Sequence, residues 1–287
     1  MPKNLSNAFQ LTTAPGRQIS VHHYPAEHAQ KVVIMAPAMA VPHSYYRAYC
    51  EWLAAQGYHV LGFDYYGIGA SGNGTTKQRN SSITEWAHHD AQAVLNHALD
   101  NYPDLPTVWF AHSIGGQIFG LLERHQEVER MITIATGTGF WRDTQPKLKY
   151  SSWLLWRGIV PWLVPLAGYF PGQRLGMIGD VPKSAMLQWR RWCLHPDYVV
   201  GAEHAYQRYA AVRTPIISLS FSDDELLTAR NIQAMHDFYK NAPQQRIEVR
   251  PEQFQLEQLG HFGIFRPHAE QLWRELFAPQ LQTALPQ

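Results

Sequence analysis

The sequence predicts an α/β fold: a mostly parallel sheet with helices on both faces and a helical cap inserted late in the chain. Three observations predict it. Short, continuous apolar runs at residues 31–35, 58–64, 108–111, 131–135 and 215–221 have the composition of strands buried on both faces. Segments of helical periodicity alternate with those runs, as parallel pairing requires. The alternation breaks between residues 140 and 211, where the text turns aromatic and proline-punctuated, and then resumes. The chain therefore divides into a core of residues 1–139 and 212–287 and a cap of residues 140–211.

The elements follow in order. Residues 9–12 and 19–24, separated by Ala14-Pro15-Gly16-Arg17, read as a hairpin. The first buried strand runs into Ala36-Pro37-Ala38-Met39-Ala40-Val41-Pro42, a small, proline-bounded loop that keeps backbone N–H groups free. From Ser44, the positions Tyr45, Tyr49, Trp52, Leu53 and Gln56 fall on helical spacing, with Gly57 as the C-terminal cap. A glycine-rich loop follows the second buried strand at residues 65–74. Its spacing is not that of a dinucleotide motif, so no nucleotide cofactor is expected. Asp64, at the start of that loop, is read as pinning it by hydrogen bonds rather than reacting.

Ser82-Ile83-Thr84-Glu85 is a capping box that opens a helix to about Leu99. After the strand at 108–111 a helix is expected whose Gly116 and Gly120 let it approach the sheet. In the cap, Pro182-Lys183-Ser184 starts a helix carrying Met186, Trp189, Arg190 and Cys193. A strand at 246–250 and helices near 228–239 and 268–277 complete the core.

Composition narrows the function. With 287 residues, 45% of them hydrophobic and 16% charged, the chain can bury one large core. A net charge of +1 excludes a dedicated nucleic-acid surface. Cys50 and Cys193 lie in separate apolar-aromatic segments and read as buried free thiols of a reducing compartment. Residues 1–7 contain no apolar stretch of the kind a secretory signal has, so a cytoplasmic location is expected. The most membrane-like stretch, residues 153–170, holds Arg157, Pro161 and Pro165, a combination unsuited to a spanning helix. It is read as a buried or interfacial lid, with transient contact between the cap and a membrane surface as the expectation.

The chemistry centres on Ala111-His112-Ser113-Ile114-Gly115, at the junction of an apolar strand and a helix. This is the layout of a nucleophile elbow, G-x-S-x-G with alanine in the first glycine position. His112 is read as packing at the elbow. A serine hydroxyl needs a base to take its proton and a carboxylate to hold that base. Acidic residues stand immediately after the strand at 215–221, and Asp224 is preferred to its neighbour Asp223. The base comes from Leu259-Gly260-His261-Phe262-Gly263, where glycines let a loop turn back over the sheet. His22-His23 and His88-His89 do not have ligand spacing on a strand or a helix, so no metal site is expected.

The chain resembles the α/β-hydrolase superfamily over nearly its whole length, and in particular the serine esterase, lysophospholipase and monoacylglycerol-lipase type. The matching text is the Ala36-Pro37-Ala38 loop, Phe63-Asp64-Tyr65-Tyr66-Gly67-Ile68-Gly69-Ala70-Ser71, the elbow, Asp224 followed by Leu227, and Gly260-His261-Phe262-Gly263. The cap text from Pro182-Lys183 through Trp189, Trp192 and Cys193 is similar to a largely uncharacterised bacterial subgroup of predicted hydrolases.

The resemblance implies Ser113 as nucleophile, His261 as general base and then acid, and Asp224 as its orienting carboxylate. It implies an oxyanion hole of the Ile114 N–H and one N–H from the loop after residue 36. Pro37 has none to give, so Ala38 is chosen, with Met39 as the alternative. Serine at the elbow sets aside the haloalkane and epoxide chemistries that use aspartate on this fold. The cap holds six of the ten tryptophans, of which Trp141, Trp153, Trp156 and Trp189 are expected to line the pocket. The expected substrate is a small or lipid-like carboxylic ester, or a thioester, with an apolar acyl or alcohol part. Acyl transfer by the same triad and non-catalytic binding are the alternatives.

Overall fold

The computed structural model describes residues 6–282, Ile178 excepted. The strands of the chain are β1 (Asn7–Ala14), β2 (Arg17–Tyr24), β3 (Lys31–Ala36), β4 (Tyr58–Phe63), β5 (Thr107–His112), β6 (Arg130–Ile134), β7 (Tyr169–Phe170), β8 (Val181–Pro182), β9 (Ile216–Phe221) and β10 (Gln244–Val249). Eight of them form one sheet in the order β1-β2-β4-β3-β5-β6-β9-β10. The hairpin β1–β2 joins antiparallel at one edge, and every pairing from β4 to β10 is parallel. β3, β5 and β6 are apolar and buried along almost their whole length because helices cover both faces.

The register of the central strands brings three strand ends together. Ala36 pairs with Ala111, and His112 pairs with Ile134, so the ends of β3, β5 and β6 lie side by side. The loops that leave those ends share one rim of the sheet, where sites in parallel sheets are built.

One helical expectation holds with a local change and one is corrected. The helix opened by Ser82 has both halves of its capping box, but its middle widens into a π segment, Trp86–Ala91. There Asp90 is fully buried and takes two hydrogen bonds from Arg17 at 2.8 Å and one from the Tyr66 N–H. After the elbow, the expected helix is a single α turn, Ile114–Gln117, followed by the 3-10 turn Phe119–Leu121. Its glycines permit close approach but do little to sustain a helix. A Cβ on Gly116 would lie 2.7 Å from Thr136 Oγ1, and one on Gly120 would lie 2.7 Å from the Tyr209 ring.

Between β6 and β9 the chain leaves the sheet, over the stretch expected to form a cap. Helices Lys149–Leu154 and Val160–Ala167 are joined by a π segment, the ribbon β7–β8 follows, and helix Lys183–Leu194 returns towards the core. Trp156, Val160, Val164, Phe170, Met186 and Trp192 join one continuous apolar cluster with Ile114 and Phe119 of the core. The returning helix is also anchored by polar contacts. Gln188 Oε1 accepts from the free N–H groups of Ile83 and Thr84 at 2.6 and 3.1 Å, and Asn80 pairs with Ser184.

Candidate active site

Ser113 sits between β5 and its one-turn helix with φ 52° and ψ −113°, a backbone conformation that costs a non-glycine residue about 1–3 kcal/mol. The surroundings hold it there. Its N–H donates to Ile134 O at 2.9 Å, and its carbonyl accepts from the Gly116 N–H and from Thr136 Oγ1. Gly115 is obligatory at this turn, because a Cβ would lie 2.5 Å from the Ala36 carbonyl oxygen on β3. At the first glycine position Ala111 is accommodated, fully buried within the strand.

His261 lies on the loop after β10, and Asp224 on the loop after β9. His261 Nδ1 donates to Asp224 Oδ2 at 2.9 Å, while Asp224 Oδ1 accepts from the Leu226 and Leu227 N–H groups at 2.8 and 2.9 Å. Both oxygens of that carboxylate are thereby engaged, and the proton on Nδ1 leaves the Nε2 lone pair as the basic site.

Asp223, set aside in favour of Asp224, and Glu225, to which no role was given, hold the histidine loop. Asp223 Oδ2 accepts from the Leu259 and Gly260 N–H groups at 2.8 and 2.9 Å, and Glu225 Oε2 accepts from the His261 N–H at 2.8 Å. Three consecutive acidic side chains thus bind three consecutive residues of that loop and the imidazole itself. Gln145, at the start of the cap, donates to the carbonyls of Asp224 and Leu227. Only the run of three acids was visible beforehand. Its division of labour depends on tertiary approach.

On the opposite side, the loop after β3 needs a correction. The Ala38 N–H donates to Tyr46 Oη at 2.8 Å, deep in the core, and has no capacity left for a reacting oxygen. The Met39 and Ile114 N–H groups have no hydrogen-bond partner among the described residues. Met39, the alternative, therefore replaces Ala38 as the candidate second donor.

Ser113 and His261 open onto one cavity of about 390 Å³, roofed by Leu148, Leu154, Leu155, Trp156, Ile159 and Phe170, with Met186, Trp189 and Tyr198 behind them. Its wall is overwhelmingly apolar. Of the four tryptophans expected there, Trp156 and Trp189 line it, ring against ring at 5.0 Å. Trp141 does not: its N–H donates to Cys193 O, and its ring packs on the cap under Arg142. Trp153 does not either, since its place on the helix turns it half into solvent. Periodicity identifies a helix face only once the helix axis is known, and the prolines and π segment of this cap conceal it. Asp64 pins the glycine-rich loop, accepting from the His43 and Ala70 N–H groups. Both cysteines are buried free thiols.

Comparison with known proteins bears on the fold and the family. Among solved structures, DcsB in complex with its substrate analogue is similar with a TM-score of 0.65 at 13% identity, over 96% of this chain and 98% of DcsB. A soluble variant of monoglyceride lipase from Saccharomyces cerevisiae gives 0.62 at 14%, over 87% of each chain. An esterase of Pyrococcus furiosus gives 0.61 at 16%, over 98% of this chain and 92% of the esterase. At such identities the likeness establishes the α/β-hydrolase fold. No curated protein matches the sequence. The family model described as serine aminopeptidase, S33, a hydrolase model, matches residues 27–175, just over half of the chain, and the chain belongs to that family of α/β-hydrolases.

Proposed function

We propose that the protein hydrolyses carboxylic esters whose acyl or alcohol part is apolar, through Ser113, His261 and Asp224, beneath a cap formed by residues 140–211. The observation that carries this reading is that a serine in a strained elbow and a histidine held by a buried carboxylate open together onto an apolar cavity. His261 Nε2 takes the Ser113 proton as Oγ bonds to the carbonyl carbon. The carbonyl oxygen becomes an oxyanion received by the Ile114 and Met39 N–H groups. His261 then gives that proton to the departing alkoxide as the C–O bond breaks. Water attacks the acyl-enzyme, losing a proton to His261, which passes it to Ser113 Oγ as the bond to the acyl carbon breaks and the acid leaves.

The cavity favours an ester over a peptide with a free N-terminus. No aspartate or glutamate lines it among the described residues, so a substrate ammonium group would be buried without a counter-charge. The cap's outer surface supports contact with a lipid interface. Tyr150, Trp162 and Leu166 are exposed, while Leu154, Ile159 and Met177 are exposed and also line the cavity. No described helix is long and apolar enough to cross a membrane.

The test is turnover of aryl esters graded by acyl length, with Ser113→Ala alongside. Activity confined to the parent and highest for apolar acyl groups is expected. Equal turnover by both proteins, or a strong preference for a charged acyl group, overturns the reading.

A further inference from the structure

His112 is fully buried between the two halves of the site and touches both. Its Nδ1 lies 2.8 Å from Tyr46 Oη, and its Nε2 lies 2.9 Å from the carbonyl oxygen of His261. Tyr46 Oη in turn receives the Ala38 N–H at 2.8 Å. The direction of every bond in this chain follows from its ends. A backbone N–H can only donate, so the Tyr46 oxygen accepts at Ala38. A carbonyl can only accept, so His112 carries its proton on Nε2. In the neutral ring, Nδ1 then accepts the Tyr46 hydroxyl proton. Each group is used once, and none is left unpaired.

From this we infer that His112 and Tyr46 are positioning residues, which tie the loop carrying the Met39 oxyanion donor to the loop carrying His261 and set the two in register across the elbow. The inference rests on the proposed ester hydrolysis and deepens it. Anchoring Ala38 to Tyr46 turns the next N–H, that of Met39, free for the substrate oxygen. The bond to the His261 carbonyl fixes the main chain from which the catalytic imidazole projects. The His112 ring also packs against the rings of His261 and Phe265, with centroids 5.2 and 5.1 Å away. A second proton on His112 would face Tyr46 Oη and orphan the tyrosine's own proton in the core. Burial, followed by the neighbouring His261, also pushes the imidazole well below its ordinary range, so the ring stays neutral and the chain keeps its direction.

The experiment compares Tyr46→Phe, His112→Asn and the double variant with the parent. It measures kcat and KM on one short ester, thermal melting, and the ¹⁵N spectrum of the histidine side chains. Each single variant should lower kcat by about tenfold to a hundredfold with KM changed far less, because substrate binding in the apolar cavity is untouched. The double variant should be no worse than the more impaired single one, since both break the same chain. In the parent, one histidine should show an Nε2–H tautomer that does not titrate between about pH 5 and 8, and His112→Asn should remove that signal. Folded single variants with kcat within about twofold of the parent, multiplicative losses in the double variant, or an Nδ1–H tautomer overturn the inference. A parent without esterase activity counts against the proposed function instead, and the tautomer then decides whether the hydrogen-bond chain stands.

Discussion

Asp224 Oδ2 accepts the Nδ1 proton of His261 at 2.9 Å, and both side chains are almost completely buried. In that setting the carboxylate does more than attract a charge: it selects the tautomer. Asp224→Asn can keep the packing, but its amide is able to donate to Nδ1, which moves the histidine proton to Nε2 and abolishes the base. The expected result is a fall in kcat of about 10³–10⁴-fold at neutral pH with little change in melting temperature. Esterase kinetics with a thermal melt check it, and a loss of less than tenfold argues that another group orients His261.

Gly115 and Ala36 are the second tight relationship. A methyl group at Gly115 would meet the Ala36 carbonyl at 2.5 Å, with backbone on both sides of the clash. Gly115→Ala must therefore displace either the elbow or the loop that follows β3, at a cost of about 1–3 kcal/mol. Activity should fall further than stability explains, because the oxyanion donors sit on those two segments. Gly158→Ala in the cap is the control: there the nearest atom is the end of the flexible Leu154 side chain, and near-parental activity is expected. Equal behaviour of the two variants defeats the argument.

These two relationships also mark how much could be read from the sequence. The strained turn at Ser113, the acids after β9 and the glycine-flanked loop of His261 were legible because each depends on local constraints: small residues beside a strained serine, acids at a strand end, glycines around a loop histidine. The parallel core was legible for the same reason, since strands buried on both faces have a distinctive composition. What could not be read depends on approach between distant segments. Nothing near Ala38 announces that Tyr46 will claim its N–H, and nothing near Asp223 or Glu225 shows that they will bind the loop of His261. The cap was hardest, because exposure of Trp153 and burial of Trp156 depend on a helix axis set by a π segment and by packing on the core.

The cap's outer face leads to a third prediction. Trp162 is 71% exposed and Leu166 is 85% exposed, and residues 144–179 contain Lys147, Lys149, Arg157 and Arg174 with no aspartate or glutamate. An exposed apolar pair in a stretch with four basic and no acidic residues fits an anionic lipid surface, where each basic residue adds about 1 kcal/mol at low salt. Binding to vesicles containing phosphatidylserine should be detectable by sedimentation and should weaken with salt. Trp162→Ser combined with Leu166→Ser should abolish it while leaving turnover of a water-soluble short ester intact, since neither residue lines the cavity. Unchanged sedimentation of the double variant removes the membrane contact from the proposal.

The buried histidines predict an acid limit to stability. Burial holds His43 down to about 3 and His236 down to about 4, each below the ordinary value of 6.5. His236 uses both ring nitrogens in its neutral form, with Nδ1 donating to Ile232 O and Nε2 accepting from Thr133 Oγ1. Above pH 6.5 both the folded and unfolded chains keep these rings neutral, so they add no pH dependence. Below it the unfolded chain takes up protons that the folded chain refuses, and stability falls until the folded values near 3 to 4 are reached. Each such ring contributes a slope of up to about 1.4 kcal/mol per pH unit in that window. Denaturant unfolding at stepped pH values between 7.5 and 4.5 measures the slope, and His236→Gln should reduce it by about one proton's worth. An identical slope in that variant places the acid sensitivity elsewhere in the molecule.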